Sequence, residues 1–272
     1  MNGDTPASTS LPTQNQVIQW FPGHMAQSMR KMSERLELVD VIIEVVDARL
    51  PSLSTNPHLD SLVHGKPRIV LLGREDLADP TLTGKWIAYE ESLGRRAIPV
   101  NGKQIGSVGH VLPILAELTG GRKTTRAMVV GIPNTGKSTI INALARRTAA
   151  KAEDKAGVTR SLQWFRVSAT LEIMDTPGIL VPKIATREAQ WQLALCNAIP
   201  RERYDSEEVV ASFVQWAQAR GRDAFPTLEE FARNRGFLRR GGEIDYHNAS
   251  RAYIKDFGDG KFGRITFEEP PE

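Results

Sequence analysis

Residues 131–138, Gly131-Ile132-Pro133-Asn134-Thr135-Gly136-Lys137-Ser138, constrain the fold more than any other stretch of the chain. They fit G-x-x-x-x-G-K-[ST]. They stand between an apolar, β-branched run, AMVVG at 127–131, and a helical segment that begins near Lys137 and reads STIINALARR from Ser138. Such a loop needs a strand to deliver it and a helix to leave it, and both are present. Its glycines let the backbone curl until several N–H groups face one point, and the helix adds its positive end there. The loop is expected to hold phosphate, with Lys137 bridging the β- and γ-phosphates and Ser138 ligating Mg²⁺.

The surroundings set the fold class. VIIEVVD (41–47) and RIVLLG (68–73) read as buried strands, AIPV (97–100) as a third and AMVVG as a fourth. QWFRV (163–167) and LEIMD (171–175) are two more, able to pair as a hairpin. Helical patterns fall near 26–38, 57–64, 80–94 and 107–119, the last ending at Gly120-Gly121. Strands alternating with helices predict an α/β domain with a mostly parallel sheet covered by helices. Beyond Pro182 the pattern changes to helical segments near 184–197, 206–219, 227–235 and 245–256, with no strand. The expected organisation is a polar, disordered leader (1–16), a nucleotide domain (17–183), a connecting helix (184–200) and a small all-α domain (201–272). Trp191 and Cys196 fall on the connecting helix. Phe213, Trp216, Phe225, Leu228 and Phe231 read as small-domain core. The 40% hydrophobic content excludes wholesale disorder. No apolar run is long enough to span a membrane, and the leader is too polar for a secretory signal. The single cysteine excludes an internal disulfide and a Cys-rich zinc site, and it fits a cytoplasmic location. A net charge of +3 permits nucleic-acid binding without requiring it.

Asp175-Thr176-Pro177-Gly178 closes the last apolar strand. Alone it is a common turn. After a phosphate loop, Asp175 can hold the magnesium shell through water and Gly178 can offer its N–H to the γ-phosphate. Between the two motifs lies Gly157-Val158-Thr159-Arg160. Thr159 is either a threonine of a mobile loop or the switch residue that contacts Mg²⁺ and the γ-phosphate. Loops that would read a base belong after the phosphate loop in the ordinary order, yet residues 179–272 hold no N-K-x-D. The near match lies upstream. Gly73-Arg74-Glu75-Asp76 ends the second strand, and Asn101-Gly102-Lys103 follows the third, in the place of an S-A-K loop. The order is therefore permuted, which costs little when the original termini lie close together on the surface.

QWFPGHM (19–25), VVDARLP (45–51), GIPNTGKST (131–139), GVTR (157–160) and DTPGI (175–179), in that order, resemble the circularly permuted GTPases of ribosome assembly, the ribosome biogenesis GTPase A (YlqF-like) family. The motifs span about residues 17–183. The resemblance implies a circularly permuted P-loop GTPase fold. It also implies binding of GTP and GDP with Mg²⁺, and slow hydrolysis of GTP, stimulated by the particle, during late assembly of the large ribosomal subunit. The nucleotide would be held by Gly73, Arg74, Glu75, Asp76, Asn101, Gly102, Pro133–Thr139 and Gly178. In the family motif the aspartate, here Asp76, pairs with the guanine N1–H and exocyclic amine. Gly73 stands where the family has asparagine, so a contact and a loop brace are lost and guanine affinity is expected to weaken, with guanine preference retained. Arg74, in place of lysine, can still lay its stem over the base.

Ile179 and Leu180 occupy the place of a water-orienting glutamine. Two substitutes are open. His24 is either a structural histidine in an aromatic cluster or a residue that positions the attacking water. Asn134 either bonds its own turn or, as the resemblance implies, coordinates K⁺. Arg49 either braces its loop through Asp47 or reaches phosphate or ribosomal RNA. Arg233, Arg235, Arg239 and Arg240 around Phe237 suit RNA, guanidinium on phosphate and ring on base. They equally suit a solvated helix face with Phe237 in the core. Triphosphate would order residues 152–160 and 178–188. A nucleotide-gated ribosome-assembly chaperone with little hydrolysis is the alternative function, and a P-loop ATPase a third.

Overall fold

A computed structural model describes residue 30 and residues 32–57, 59–63, 65–147, 163–176, 184 and 186–271. The leader, His24, Thr159 and Gly178 lie outside the described residues. β1 (Val41–Asp47), β2 (Arg68–Gly73), β3 (Arg96–Val100), β4 (Thr125–Val130), β5 (Gln163–Arg166) and β6 (Leu171–Asp175) form one sheet in the order β3-β2-β1-β4-β6-β5. Every pairing is parallel except β5 with β6, the expected hairpin.

The apolar runs of the central strands follow from burial on both faces. Val41, Ile43 and Val45 of β1 pack with Val111 and Leu115 of one helix (Val111–Leu118) and with Ile140 and Leu144 of the phosphate-loop helix (Lys137–Arg147). Ile42 turns to the other face, against Met32 and Leu59, and Val46 meets Leu72 and Trp86. That is the period-two alternation of a strand inside a covered sheet. Trp86 sits on a helix (Pro80–Ser92) that starts cleanly, because the Asp79 side chain accepts from the N–H groups of Thr81 and Leu82 and proline fills the first turn. Glu44 is the exception to the apolar pattern. It is buried in mid-strand, 3.2 Å from Arg68, which also holds Asp60 at 2.7 Å. Burial pushes the Glu44 carboxyl up to about 7 against the opposing charge of Arg68.

Parallel pairing aligns the strand ends. Asp47 lies opposite Gly73, Gly73 opposite Val100, and Val129 opposite Asp175. The loops after β1, β2, β3 and β4 and the end of β6 therefore emerge along one carboxyl edge, where open α/β sheets bind ligands.

The remainder is helical: Arg187–Leu195, Ser206–Gln218, Leu228–Asn234 and Tyr246–Gly258. Asp205 caps one helix, and Thr227 with Glu230 forms a capping box on another. Trp191, Phe213, Trp216, Phe231, Tyr253 and Phe257 make an aromatic core, which Leu50 and Ile132 of the sheet's edge loops join. The last residues hold a feature the sequence pattern did not announce. Residues 264–269, without regular secondary structure, return to the loops at the sheet's carboxyl edge, where the Ile265 N–H donates to the Leu77 carbonyl and the Phe267 N–H to that of Arg49, both at 2.9 Å.

Candidate nucleotide site

The phosphate loop leaves β4 at Gly131. Its φ of +152° and its closeness to β1, where a Cβ would fall 2.3 Å from the Val45 carbonyl oxygen, leave room only for glycine. Asn134 (φ +61°) and Gly136 (φ +96°) complete the curl, and the Ile140 N–H then closes the first helical turn on the Gly136 carbonyl at 2.9 Å. Lys137 is buried, and its ammonium donates to the carbonyls of Gly131 (3.1 Å) and Ile132 (2.8 Å). Burial lowers this ammonium to about 8 despite the nearby Asp175 carboxylate. Ser138 is half-buried one residue further on.

The permuted segments meet at one cavity of about 360 Å³. Arg74 and Asp76 line it from the loop after β2, Asn101 and Gly102 from the loop after β3, and Thr135, Gly136 and Thr139 from the phosphate loop and its helix. Arg74 takes the left-handed conformation (φ +57°) that turns the chain into the short helical turn Glu75–Leu77. Asn101 organises its own loop, its Oδ1 accepting from the Lys103 N–H at 2.9 Å.

Other expected residues lie beside the cavity. Glu75, Pro133, Asn134, Lys137 and Ser138 do not line it, and Gly73 lies beneath the phosphate loop. A Cβ at Gly73 would fall 2.8 Å from the Thr135 carbonyl oxygen. Asn134 does not bond its own turn. Its Nδ2 donates to the Asn197 carbonyl at 2.7 Å, and since that oxygen can only accept, the amide orientation is fixed. The far wall was missed from sequence. Asn197, Arg201, Lys255, Gly258 and Asp259 of the helical region line the same cavity. No motif marks them, because they reach the site only through tertiary packing. Lys103, the last residue of the Asn101-Gly102-Lys103 loop, also lines it.

At the phosphate end, the pairing of Val129 with Asp175 sets Asp175 one strand from the loop, and the Thr176 hydroxyl donates to the Val129 carbonyl at 2.7 Å. Among the described residues no group of three His, Cys, Asp or Glu side chains could cage a metal. The hydroxyl of Ser138 and the carboxylate of Asp175 are hard oxygen donors of the kind Mg²⁺ takes alongside phosphate oxygens and water, so the residues present fit that ion.

Arg49 is a correction. It does not reach phosphate or RNA, being 1% exposed. Its Nε and Nη2 donate to the Asp47 carboxylate at 2.9 and 2.7 Å, and its guanidinium lies 5.7 Å from the centre of the Phe257 ring. Burial would raise the Asp47 carboxyl, but the charge and hydrogen bonds of Arg49 outweigh it and hold the group below the usual carboxylate range. The pair is the internal brace of the DARLP loop. In the helical region Phe237 is half-buried and stacks on Phe231 at 6.2 Å against the core, as the core reading of this ring expects. Arg233 pairs with Glu229, Arg235 with Asp256 and Arg239 with Asp245, at 2.8, 2.9 and 3.4 Å, while Arg240 is exposed. Among the described residues no helix is long and apolar enough to cross a membrane.

Comparison with known proteins agrees with this geometry. The family model described as 50S ribosome-binding GTPase matches residues 126–221. Ribosome biogenesis GTPase A of Bacillus cereus is 38% identical over 94% of this chain and 95% of its own length. The protein of the same name from Thermotoga maritima is 33% identical over 94% and 95%. The crystal structure of GNP-bound YlqF from T. maritima superposes with a TM-score of 0.69 at 30% identity, covering 90% of this chain and 99% of that one.

Proposed function

The chain belongs to the ribosome biogenesis GTPase A family, and from that premise we propose that it binds GTP in the 360 Å³ cavity and hydrolyses it as a switch in assembly of the large ribosomal subunit. The observation that carries this reading is the convergence of Asp76, Asn101 and Gly136, from three segments in permuted order, on one cavity.

Asp76 accepts from the guanine N1–H and 2-amino groups, and the stem of Arg74 covers the base. Phosphates lie on the N–H groups of the loop and at the N-terminus of the helix Lys137–Arg147. Lys137 exchanges the carbonyls of Gly131 and Ile132 for phosphate oxygens, which restores its full charge. Ser138 and Asp175, the latter through water, would hold Mg²⁺, and Thr159 joins them in the triphosphate state. Held there, Mg²⁺ would supply positive charge to the phosphate oxygens. Asn134 keeps its Oδ1 for K⁺ while its Nδ2 bonds Asn197. Gly178 donates to the γ-phosphate, and His24 positions the attacking water. The helical region 201–272, with Arg233, Arg235, Arg239 and Arg240 on its surface, faces the ribosomal particle in the cytoplasm.

Steady-state GTP turnover with and without purified large subunits tests the proposal. Turnover slow alone and stimulated by large subunits is expected. Equal rates, with sedimentation on subunits only in a non-hydrolysable analogue, would make the protein a gated chaperone. Nucleotide competition in which ATP binds as tightly as GTP would refute the guanine site, and equal single-turnover rates in K⁺ and Na⁺ would remove K⁺.

A further inference from the structure

Asp76 can discriminate a guanine only if its carboxylate is held to a fraction of an ångström. Its loop lacks the side-chain brace an asparagine at position 73 would give. From the β1 side it is tied by the Ala48 N–H, which donates to the Gly73 carbonyl at 2.9 Å. Beyond Asp76, the hydrogen bonds to a distant segment among the described residues run to residues 265 and 266. The Ile265 N–H donates to the Leu77 carbonyl at 2.9 Å. The Asp79 N–H donates to the Thr266 hydroxyl at 3.0 Å, and that hydroxyl donates onward to the Ala48 carbonyl at 3.2 Å. Gly260 presses against Leu77 so closely that a Cβ there would fall 2.6 Å from Leu77 Cδ2.

The segment that makes these ties is itself firmly held. Thr266 is 3% exposed. The Trp86 indole N–H donates to the Glu268 carbonyl at 3.0 Å, and the Glu268 carboxylate accepts from the N–H groups of Ser52 (2.8 Å) and Leu53 (3.2 Å). Phe267 packs edge-on to Trp191, with ring centres 5.5 Å apart. Residues 264–268 therefore form a strap anchored in the DARLP loop, in the helix behind β2 and in the aromatic core. Its middle residue hydrogen-bonds Asp79, which leads from the base-reading loop into the helix Pro80–Ser92, and the loop after β1.

We infer that this strap is the positioning element of the base-reading loop, and that Thr266 is the residue through which it sets Asp76. The Thr266 hydroxyl stitches together the two loops that flank Gly73, where a side-chain brace is missing. The inference deepens the reading of the cavity as a guanine site and rests on that reading.

The test compares the full-length chain with Thr266→Val, which keeps the shape and removes the hydroxyl, and with Thr266→Ser, which keeps the hydroxyl. Binding of GDP and of inosine diphosphate, which lacks the 2-amino group, is measured by calorimetry. Thr266→Val is expected to weaken GDP about tenfold, the size of one buried hydrogen-bond pair. It is also expected to shrink the preference for GDP over inosine diphosphate, because one of the two contacts to Asp76 distinguishes them. In turnover the change falls on KM rather than on kcat, and Thr266→Ser recovers most of the affinity. Wild-type GDP binding by Thr266→Val, or equal losses for both nucleotides, overturns the inference. Should Thr266→Val not fold, amide exchange in the unaltered chain decides. The Asp79 and Phe267 amides must exchange together as one protected unit, and an unprotected Asp79 amide overturns the inference. Asp76→Ala separates the two levels. If it leaves the preference for GDP intact, the guanine reading itself fails. If it abolishes the preference while Thr266→Val changes nothing, only the strap's role fails.

Discussion

Restoring asparagine at position 73 would be the obvious repair of the base-reading motif, and the structure predicts that it fails. A Cβ on Gly73 lies 2.8 Å from the Thr135 carbonyl oxygen and 3.3 Å from that of Val46. Both atoms are backbone, and Thr135 belongs to the phosphate loop, so relief requires that loop to withdraw by about half an ångström. Overpacking of this kind costs about 1–3 kcal/mol. The polar contact regained by asparagine is worth about 1–2 kcal/mol. Gly73→Ala carries the cost without the gain. It should lower the unfolding midpoint by roughly 2–10 °C or weaken GDP by roughly 5- to 100-fold, depending on whether the loop stays put or retreats. Gly73→Asn should lie between Gly73→Ala and the unaltered chain. Thermal unfolding without nucleotide and GDP calorimetry separate the two routes. A Gly73→Ala protein with unaltered midpoint and affinity, or a Gly73→Asn protein that binds GDP more tightly than the parent, would refute the packing argument.

Lys137, lowered to about 8 by burial, carries its full charge below that pH and loses it above. Phosphate raises its pKa again, so nucleotide affinity should fall as pH rises through 8, with up to one proton taken up per nucleotide bound, and calorimetry in buffers of different ionisation heat reads that proton. Truncating Arg49 to alanine strands the buried Asp47 carboxylate and should cost about 3–5 kcal/mol of stability; denaturant unfolding within 1 kcal/mol of the parent would contradict the brace. Glu44 is raised from 4.5 to about 7 on folding, so the folded chain holds a proton the unfolded chain has released, and stability should decline between pH 4.5 and 7. Over that window the decline is on the order of 3 kcal/mol, and Glu44→Gln should flatten it; an unchanged urea-midpoint profile would refute the assignment.

The strands and their order of use were legible because burial on both faces forces continuous apolar runs, and VIIEVVD, RIVLLG and AMVVG are such runs. The loop between β4 and its helix was legible because such a turn needs glycine at fixed spacing, and Gly131 and Gly136 both take positive φ there. Glu44 inside β1 did not spoil the reading, since one charge with an Arg68 partner is tolerated where several would not be. The far wall of the cavity was not legible. Asn197, Arg201, Lys255 and Asp259 are ordinary surface residue types, and what makes them a wall is the packing of their helices on Leu50 and Ile132. Arg49 shows the same limit from the other side: an arginine at a strand end looks available until the Phe257 ring and the Asp47 carboxylate are found around it. Tertiary contacts therefore decide the part of the site that no spacing rule covers, and here they have a consequence for the switch. On the proposed reading, a nucleotide bound in the cavity would touch the sheet loops on one side and the helical region on the other. Any partner that prefers one arrangement of that region must then alter nucleotide affinity by the same factor by which nucleotide alters the partner's.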